Sequence, residues 1–430
     1  MAGESSITSE PMLANAVLRG LSQGWLPGLA WLDGSGQGRS FVGAEPDLVI
    51  EGDDMAQLDA VDVRWRADPS RVWVGWLTYE LGIDFMLSRR AGRGPRPGLC
   101  LRRYPAVLER HADGHELVHG DPDAARQLAG VLERAASAPM GEPPWPLEPL
   151  RPRLVPEEYR ERVGRAQQAI AAGRASHVHL SQQLGARWKA SAPPGTPVRV
   201  ASAYASLRRR RPVTMGALLE ADADTWFLSN SAETLLGVRH GQGLEGADLV
   251  RVWPTEGVRP RDPDPARDAA IGDALLHDPR ERARHQSIVD QACEDLGRIA
   301  VPGTLYAEPQ PQRRVLPLSH QLITQVSASL PRGLSLRALV EAMFPAAGVI
   351  GSPRQGAAQV IDELEEHARG IHGGAIVVLE PNGLSMSIPV RTASVDRYGA
   401  TLCVGGSIGG EGDPEAERLR TLAEAQAFAD

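Results

Sequence analysis

A chain of 430 residues, 42% of them hydrophobic, can bury a sizeable core and is too apolar to be disordered throughout. Its formal net charge of -8 gives no basis for a nucleic-acid partner. No apolar run approaches the roughly 20 residues that span a bilayer, and the N-terminus has no basic segment followed by an apolar one, so a soluble cytoplasmic protein without a membrane partner is expected. Cys100, Cys293 and Cys403 are far apart, odd in number and form no CxxC pair, which suggests a reducing compartment.

Residues 24–110 carry short apolar runs broken by Gly and Pro: WLPGLAWLD, SFVGAEPDLVI, VWVGWLTYELG and YPAVLER. They predict a β-rich N-terminal region over 1–138. A Pro-dense connector, 139–156, follows and reads as a linker between domains or a strap across one body. Residues 157–430 form the third region. EEYRERVGRAQQAIAAGR (157–174) has helical spacing at Val163, Ala166, Ile170 and Ala171, with Gly173 as a left-handed cap. SHVHLSQQLGARW alternates like a strand, and TWFLSNSAETLLGVRHG and DLVRVWPTEGVRPR predict strand-and-turn units. The Arg208–Arg211 run reads as a solvated helix end or loop. Asp278-Pro279 and Asp413-Pro414 each place Asp at an N-cap and Pro at the first helical position. A further helix is predicted from Ser352-Pro353 through Val360, Ile361 and Leu364.

From Phe344 to Thr421 the chain contains FPAAGVIGSPRQGAAQVIDELE, HGGAIVVLEPNG, SIPVRT and VGGSIGGEGDPEAERLRT. This order resembles the C-terminal half of the chorismate-binding enzymes: anthranilate synthase component I, aminodeoxychorismate synthase component I, isochorismate synthase and salicylate synthase. The similarity covers residues 157–428 well and 25–110 more faintly, where GWLTYELG is nearer the aminodeoxychorismate and anthranilate synthases. The resemblance implies an α/β fold, a two-lobed sandwich of large antiparallel sheets flanked by helices. It also implies a pocket between the lobes, and it favours one interleaved globular unit with the connector as a strap.

The same resemblance assigns roles. SAETLL matches SPERFL, so Glu233 stands where a general acid protonates a leaving hydroxyl, which requires a raised pKa; a surface strand-end Glu is the plainer reading. Arg391 in SIPVRT stands where an arginine pairs with a substrate carboxylate. Gly405, Gly406 and Ser407 match a glycine-rich turn whose N–H groups approach a carboxylate. Gly257 matches the turn glycine under the substrate.

Other positions depart from the family. Its Mg²⁺ is held by glutamates on two helices, and Arg284 and Arg420 stand at ligand positions here. Glu281 and Glu417, each three residues earlier, are the acids left for a metal if one is present. One Mg²⁺ and two glutamates sum to zero, whereas two arginines sum to +2 and would repel a hard cation. No cofactor is therefore expected, although Mg²⁺ is typical of the family. Arg284 and Arg420 either bind a substrate carboxylate or pair with Glu281, Glu417 or Glu424 in a dead site.

Glu256 replaces a Lys, proposed in aminodeoxychorismate synthases as a covalent nucleophile, or the Ala of anthranilate synthases. It reads as a base, a nucleophile or a counter-ion. His177 replaces a water-activating Lys, or the Gln of ammonia users, and is a base or a structural histidine. Gln321 replaces a catalytic His, with His320 adjacent and an offset of one left open. His372 stands at an aromatic or His position, Glu424 where a carboxylate-binding Lys is usual, and Arg354 where Lys is.

The expected function is a chorismate-utilising lyase or transaminase-type synthase, acting on chorismate or a close analogue. It would replace or eliminate a ring hydroxyl, without metal and in specialised metabolism, on a small dicarboxylate substrate. Glu233 would be the acid, and His177 or Glu256 the base. The alternatives are an ordinary Mg²⁺-dependent aminodeoxychorismate synthase component I fed by a glutamine amidotransferase subunit, a non-catalytic dicarboxylate-binding pseudoenzyme, or an enzyme of some other dianion.

Overall fold

Two large antiparallel sheets, of eleven and nine strands, and a smaller one of three organise this computed structural model, which describes residues 9–89, 94, 97–137, 144–317 and 319–428. The architecture is the expected α/β one, large antiparallel sheets covered by helices. Strands from before and after the connector share both large sheets. Ala30–Asp33 pairs with Met215–Glu220 in the first, and Val72–Leu77 pairs with Ala375–Glu380 in the second.

Period-2 alternation explains the layering. In Val72–Leu77 every residue is buried. Val72, Val74 and Trp76 join a core that also holds Phe41, Ala217 and Phe227 of the first sheet. Trp73 and Leu77 join a second core with Leu339, Val340 and Phe344. A strand covered on both faces has to be apolar throughout, which is why VWVGWL does not alternate. Trp76 meets Phe227 edge-on across the sheets, with centroids 5.3 Å apart.

The N-terminal region is less purely β than expected. Helices form at Glu10–Ser22, Gln57–Ala67, Tyr79–Met86 and Pro122–Ala136. VWVGWLTYELG, expected as one strand-like run, ends its strand at Leu77 and turns helical at Tyr79. YPAVLER is likewise divided. Pro105 cannot donate to a ladder, and it separates Leu99–Tyr104 of the second sheet from Ala106–Arg110 of the first. Residues 138–143 of the connector lie outside the described residues. Beyond them Trp145 and Leu147 are buried against the first sheet, and Arg151–Pro152 pairs with the strand His177–Arg187.

The later helices form where their caps placed them: Pro156–Ala171, Pro279–Gly297, Arg354–Leu364 and Pro414–Glu424. The Asp278 carboxylate accepts from the N–H groups of Arg280 and Glu281, and Asp413 accepts from Ala416 N–H. Gly173 has φ +75°, the left-handed conformation of a helix stop. The arginine run ends the helix Thr196–Arg210, but Arg208 turns inward to Asp33, 2.7 Å away, and to Glu10. Cys100, Cys293 and Cys403 are free thiols. Among the described residues no helix is long and apolar enough to cross a membrane.

Candidate active site

The chain passes from the first sheet to the second between the strands Trp226–Ser231 and Glu233–Arg239. It returns between Gly383–Ile388 and Thr392–Val395. The two crossings run side by side. Asn230 N–H donates to the Arg391 carbonyl at 2.8 Å, and Val390 N–H donates to Ser231 Oγ at 3.0 Å. Glu233 and Arg391, far apart in sequence, are thereby set face to face beside a cavity of about 720 Å³. Glu256, Glu281, Arg284, Gly405, Gly406, Ser407 and Arg420 line the same cavity. Gly257, Glu417 and His177 do not.

Arg391 is occupied by protein acids. Its Nη2 donates to Glu233 Oε1 at 2.9 Å and its Nη1 to Glu424 Oε2 at 3.0 Å, while Nε donates to the Asn230 carbonyl. Glu233 also accepts from Ala232 N–H at 2.9 Å and from the Gln321 amide at 3.3 Å. Burial alone would raise the Glu233 carboxyl, but Arg391, Arg314 and these hydrogen bonds outweigh it and hold it below the ordinary range. That corrects the expectation for Glu233: a general acid needs a raised pKa, and this carboxyl stays ionised. Arg391, expected to hold a substrate carboxylate, is here the counter-ion of two glutamates.

Glu256 is the group with the opposite shift. It sits at a bulge in the small sheet, where Gly257 takes φ +83° and the pairing with Ser319–Ile323 slips by a residue. The positive φ is what calls for glycine here, and a Cβ would also press on Leu322 Cδ1, 3.3 Å away. Burial pushes Glu256 up to about 7; Arg284 opposes this, and the Glu281 charge adds to it. It is half protonated near neutrality, where proton transfer is most effective.

The arginines at the metal positions are paired. Glu281 accepts from Arg284 at 2.8 Å and from Arg259 at 2.6 Å, and Glu417 accepts from Arg420 at 3.0 Å. The net charge of +2 anticipated from two arginines alone is therefore cancelled, since Arg284 and Arg420 with Glu281 and Glu417 sum to zero. Mg²⁺ demands several oxygens in near-octahedral array. Both oxygens of Glu281 already accept from guanidinium groups, and no group of three or more His, Cys, Asp or Glu among the described residues converges on a metal position. These donors do not fit Mg²⁺. The three Arg–Glu pairs leave further N–H donors on each guanidinium for a ligand carboxylate.

Gly405, Gly406 and Ser407 form part of the strand Gly399–Ile408, not a turn. That strand loses its Thr392–Val395 neighbour beyond Cys403 and keeps only His177–Arg187, opening one edge. Gly405 makes room for His179: an added Cβ would overlap its Nε2. Gly405→Ala should displace that ring and destabilise the fold by about 1–3 kcal/mol, read as a lower urea midpoint at unchanged m.

His177 is buried, with Nδ1 3.2 Å from Ser176 Oγ. Burial and then Arg284 push its ring down to about 4, which makes it a poor base at neutrality. His179, on the same face two residues along, is the histidine that reaches the cavity. The sequence offered that signal in the spacing H-V-H. Arg259, missed too, follows Gly257 on the same strand. Alternation settles the Gln321 offset, because Gln321 points to Glu233 while His320 bonds Asp268 at 2.9 Å on the other side. Arg354 is structural, donating to the carbonyls of Pro345 and Ala342 and pairing with Asp295.

Behind His179 lies a buried charge. Arg369 donates to the His179 carbonyl at 2.6 Å and to both oxygens of Glu365. Glu365→Gln would leave this guanidinium, 1% exposed, without its counter-charge. A loss of about 3–5 kcal/mol is expected in chemical denaturation.

Comparison with known proteins agrees with this architecture. The family described as chorismate binding enzyme matches residues 30–430. The anthranilate synthase component 1 of Streptomyces coelicolor is 32% identical over 382 residues, 83% of this chain and 71% of that protein. The aminodeoxychorismate synthase of Streptomyces griseus is 32% identical over 373 residues, 82% of this chain but only 49% of the relative, so the chain spans about half of that protein. Among solved structures, anthranilate synthase component I from Streptococcus pneumoniae superposes with a TM-score of 0.75 at 20% identity, covering 91% of this chain and 92% of the other. The menaquinone-specific isochorismate synthase of Escherichia coli gives 0.75 at 18%, covering 96% and 90%. The match along nearly the whole sequence and the shared fold place this chain in the chorismate binding enzyme family.

Proposed function

We propose that the chain is an enzyme acting on chorismate or a close enolpyruvyl dicarboxylate, that it replaces or eliminates the ring hydroxyl without a divalent ion, and that Glu256 is its acid. The observation that carries this is the inverted pair of carboxyls, Glu233 held ionised by Arg391 and Glu256 pushed up to about 7. Protonated Glu256 gives its proton to the departing hydroxyl, which leaves as water. The resulting carboxylate takes a proton back from the incoming nucleophile, or from the ring when the outcome is elimination. Arg284, Arg420 and Arg259 hold substrate carboxylates with the donors that their glutamate partners leave over. The chain's one lysine, Lys189, is off the cavity, so no covalent lysine route is available.

Several relatives bear the name component 1, which supports ammonia delivery from a separate glutamine amidotransferase subunit. The altered site also supports a place in specialised metabolism. A second reading, a non-catalytic subunit that binds a dicarboxylate, is favoured by one observation only, the capture of ionised Glu233 by Arg391. The two separate on incubation of the purified chain with chorismate or isochorismate, with and without ammonium and EDTA, and mass spectrometry of the products. Conversion that survives EDTA is expected. Conversion that disappears with EDTA would restore the Mg²⁺-dependent enzyme, and binding without conversion would establish the non-catalytic subunit.

A further inference from the structure

Three ring nitrogens in the cavity wall have no partner among the described residues: both of His179 and Nε2 of His372. Both side chains line the cavity, with ring centroids 6.4 Å apart. His372 is 1% exposed, and the nitrogens of His179 are enclosed although the residue is half-buried. Folded proteins leave few buried polar atoms unpaired, so a group of them in a cavity wall marks a place where something else supplies the partner.

The chemistry of that partner follows from the rings. His372 Nδ1 lies 2.8 Å from the Val390 carbonyl. A carbonyl only accepts, so Nδ1 carries the proton and Nε2 presents a bare lone pair. Burial, and then Arg369, push this ring down to about 3. His179 is also held well below the ordinary range, by burial, Arg369 and His372 in turn. Arg369 is matched by Glu365 and offers no free charge to the wall. A neutral His179 contributes one donor and one acceptor.

The geometry points to a subsite between His179 and His372 for an uncharged hydrogen-bond donor, an O–H or N–H group, rather than for a carboxylate. It rests on the reading of the cavity as a site for a hydroxylated dicarboxylate, and it assigns that ligand an orientation with its carboxylates toward the arginines. A carboxylate against His372 Nε2 would set lone pair against lone pair. The donor is either the ring hydroxyl of the substrate or the neutral nucleophile, ammonia or water, that replaces it.

The test uses the full chain. His372→Phe keeps the ring's bulk and removes the lone pair, while His372→Gln returns an acceptor near the ε position. Calorimetric titration compares chorismate with its analogue lacking the ring hydroxyl. If the hydroxyl occupies the subsite, His372→Phe weakens chorismate about tenfold and leaves the analogue within about twofold, and His372→Gln recovers most of the loss. If the nucleophile occupies it, both dissociation constants hold and the KM for ammonium rises about tenfold instead. Equal losses for the two ligands, or no change in any of these quantities, would overturn the subsite. A crystal structure of the ligand-free chain decides independently of chorismate. Ordered water bridging His372 Nε2 and His179 is expected, and a dry wall or a bound anion there would overturn the assignment. If chorismate does not bind the unaltered chain at all, the functional reading fails and this density alone judges the subsite.

Discussion

Glu256→Gln is expected to lower kcat/KM on chorismate by about 10²- to 10⁴-fold, the usual worth of a positioned proton donor. In the unaltered chain kcat/KM should fall as pH rises through about 7, because the protonated carboxyl begins the reaction. Stability should fall with rising pH as well, over the range below that of the activity loss. The folded pKa of Glu256 lies above its ordinary 4.5. Between pH 4.5 and 7 the folded protein therefore keeps a proton that the unfolded chain has released, and stability drops as pH rises through that window. Glutamine has no such titration. At pH 8 the variant should be more stable by about 2–3 kcal/mol, and the gain should vanish near pH 4.5. Loss of activity without this pH-dependent gain would mean that Glu256 is only a counter-ion. Glu233→Gln makes a useful contrast, since it removes an ionised partner of Arg391 and should destabilise the chain at neutral pH.

Arg284→Glu combined with Arg420→Glu should create affinity for Mg²⁺ that the unaltered chain, on the reading proposed above, lacks. The substitutions remove two guanidinium groups and leave four carboxylates on the facing helices, an oxygen-rich set for a hard cation. Without metal these like charges repel, so the double variant should be less stable than its parent. At a hundredfold excess of Mg²⁺ over its dissociation constant, binding should return about 2.7 kcal/mol. Thermal denaturation with and without MgCl₂ reads this directly. An unaltered chain whose midpoint already rises with Mg²⁺ would contradict the charge assignment. Arg259 is the confounding neighbour, because it holds Glu281 at 2.6 Å. Adding Arg259→Gln should strengthen the metal response of the double variant.

The fold was legible because motif order survives where individual residues drift. SAETLL and SIPVRT each straddle a crossing between sheets, and such segments are constrained by both. Alternation found the strands but not their sheets. Pro105 and Ala232 each break what looks like one run, and the chain changes layers at both places. Charge pairing was the least legible part. Arg391 was assigned to the substrate, yet it is taken by Glu233 and Glu424, and Arg314 adds a second positive charge that only the folded chain brings near. His179 was passed over because the resemblance drew attention to His177, although strand geometry gives the two one face. The glycines of VGGSIGG were expected in a turn, but pairing with His177–Arg187 extends through Ile408 before the chain bends.

Placing Glu233 and Arg391 on the links between the two large sheets has a mechanical result. A small slide of one layer over the other would load these links directly, since Ala232 alone separates the strands ending at Ser231 and starting at Glu233. Substitutions deep in the Trp76–Phe227 seam, remote from any ligand, should therefore tune the balance between the two carboxyls. In this molecule the links that join the two layers also carry a charged pair of the cavity wall.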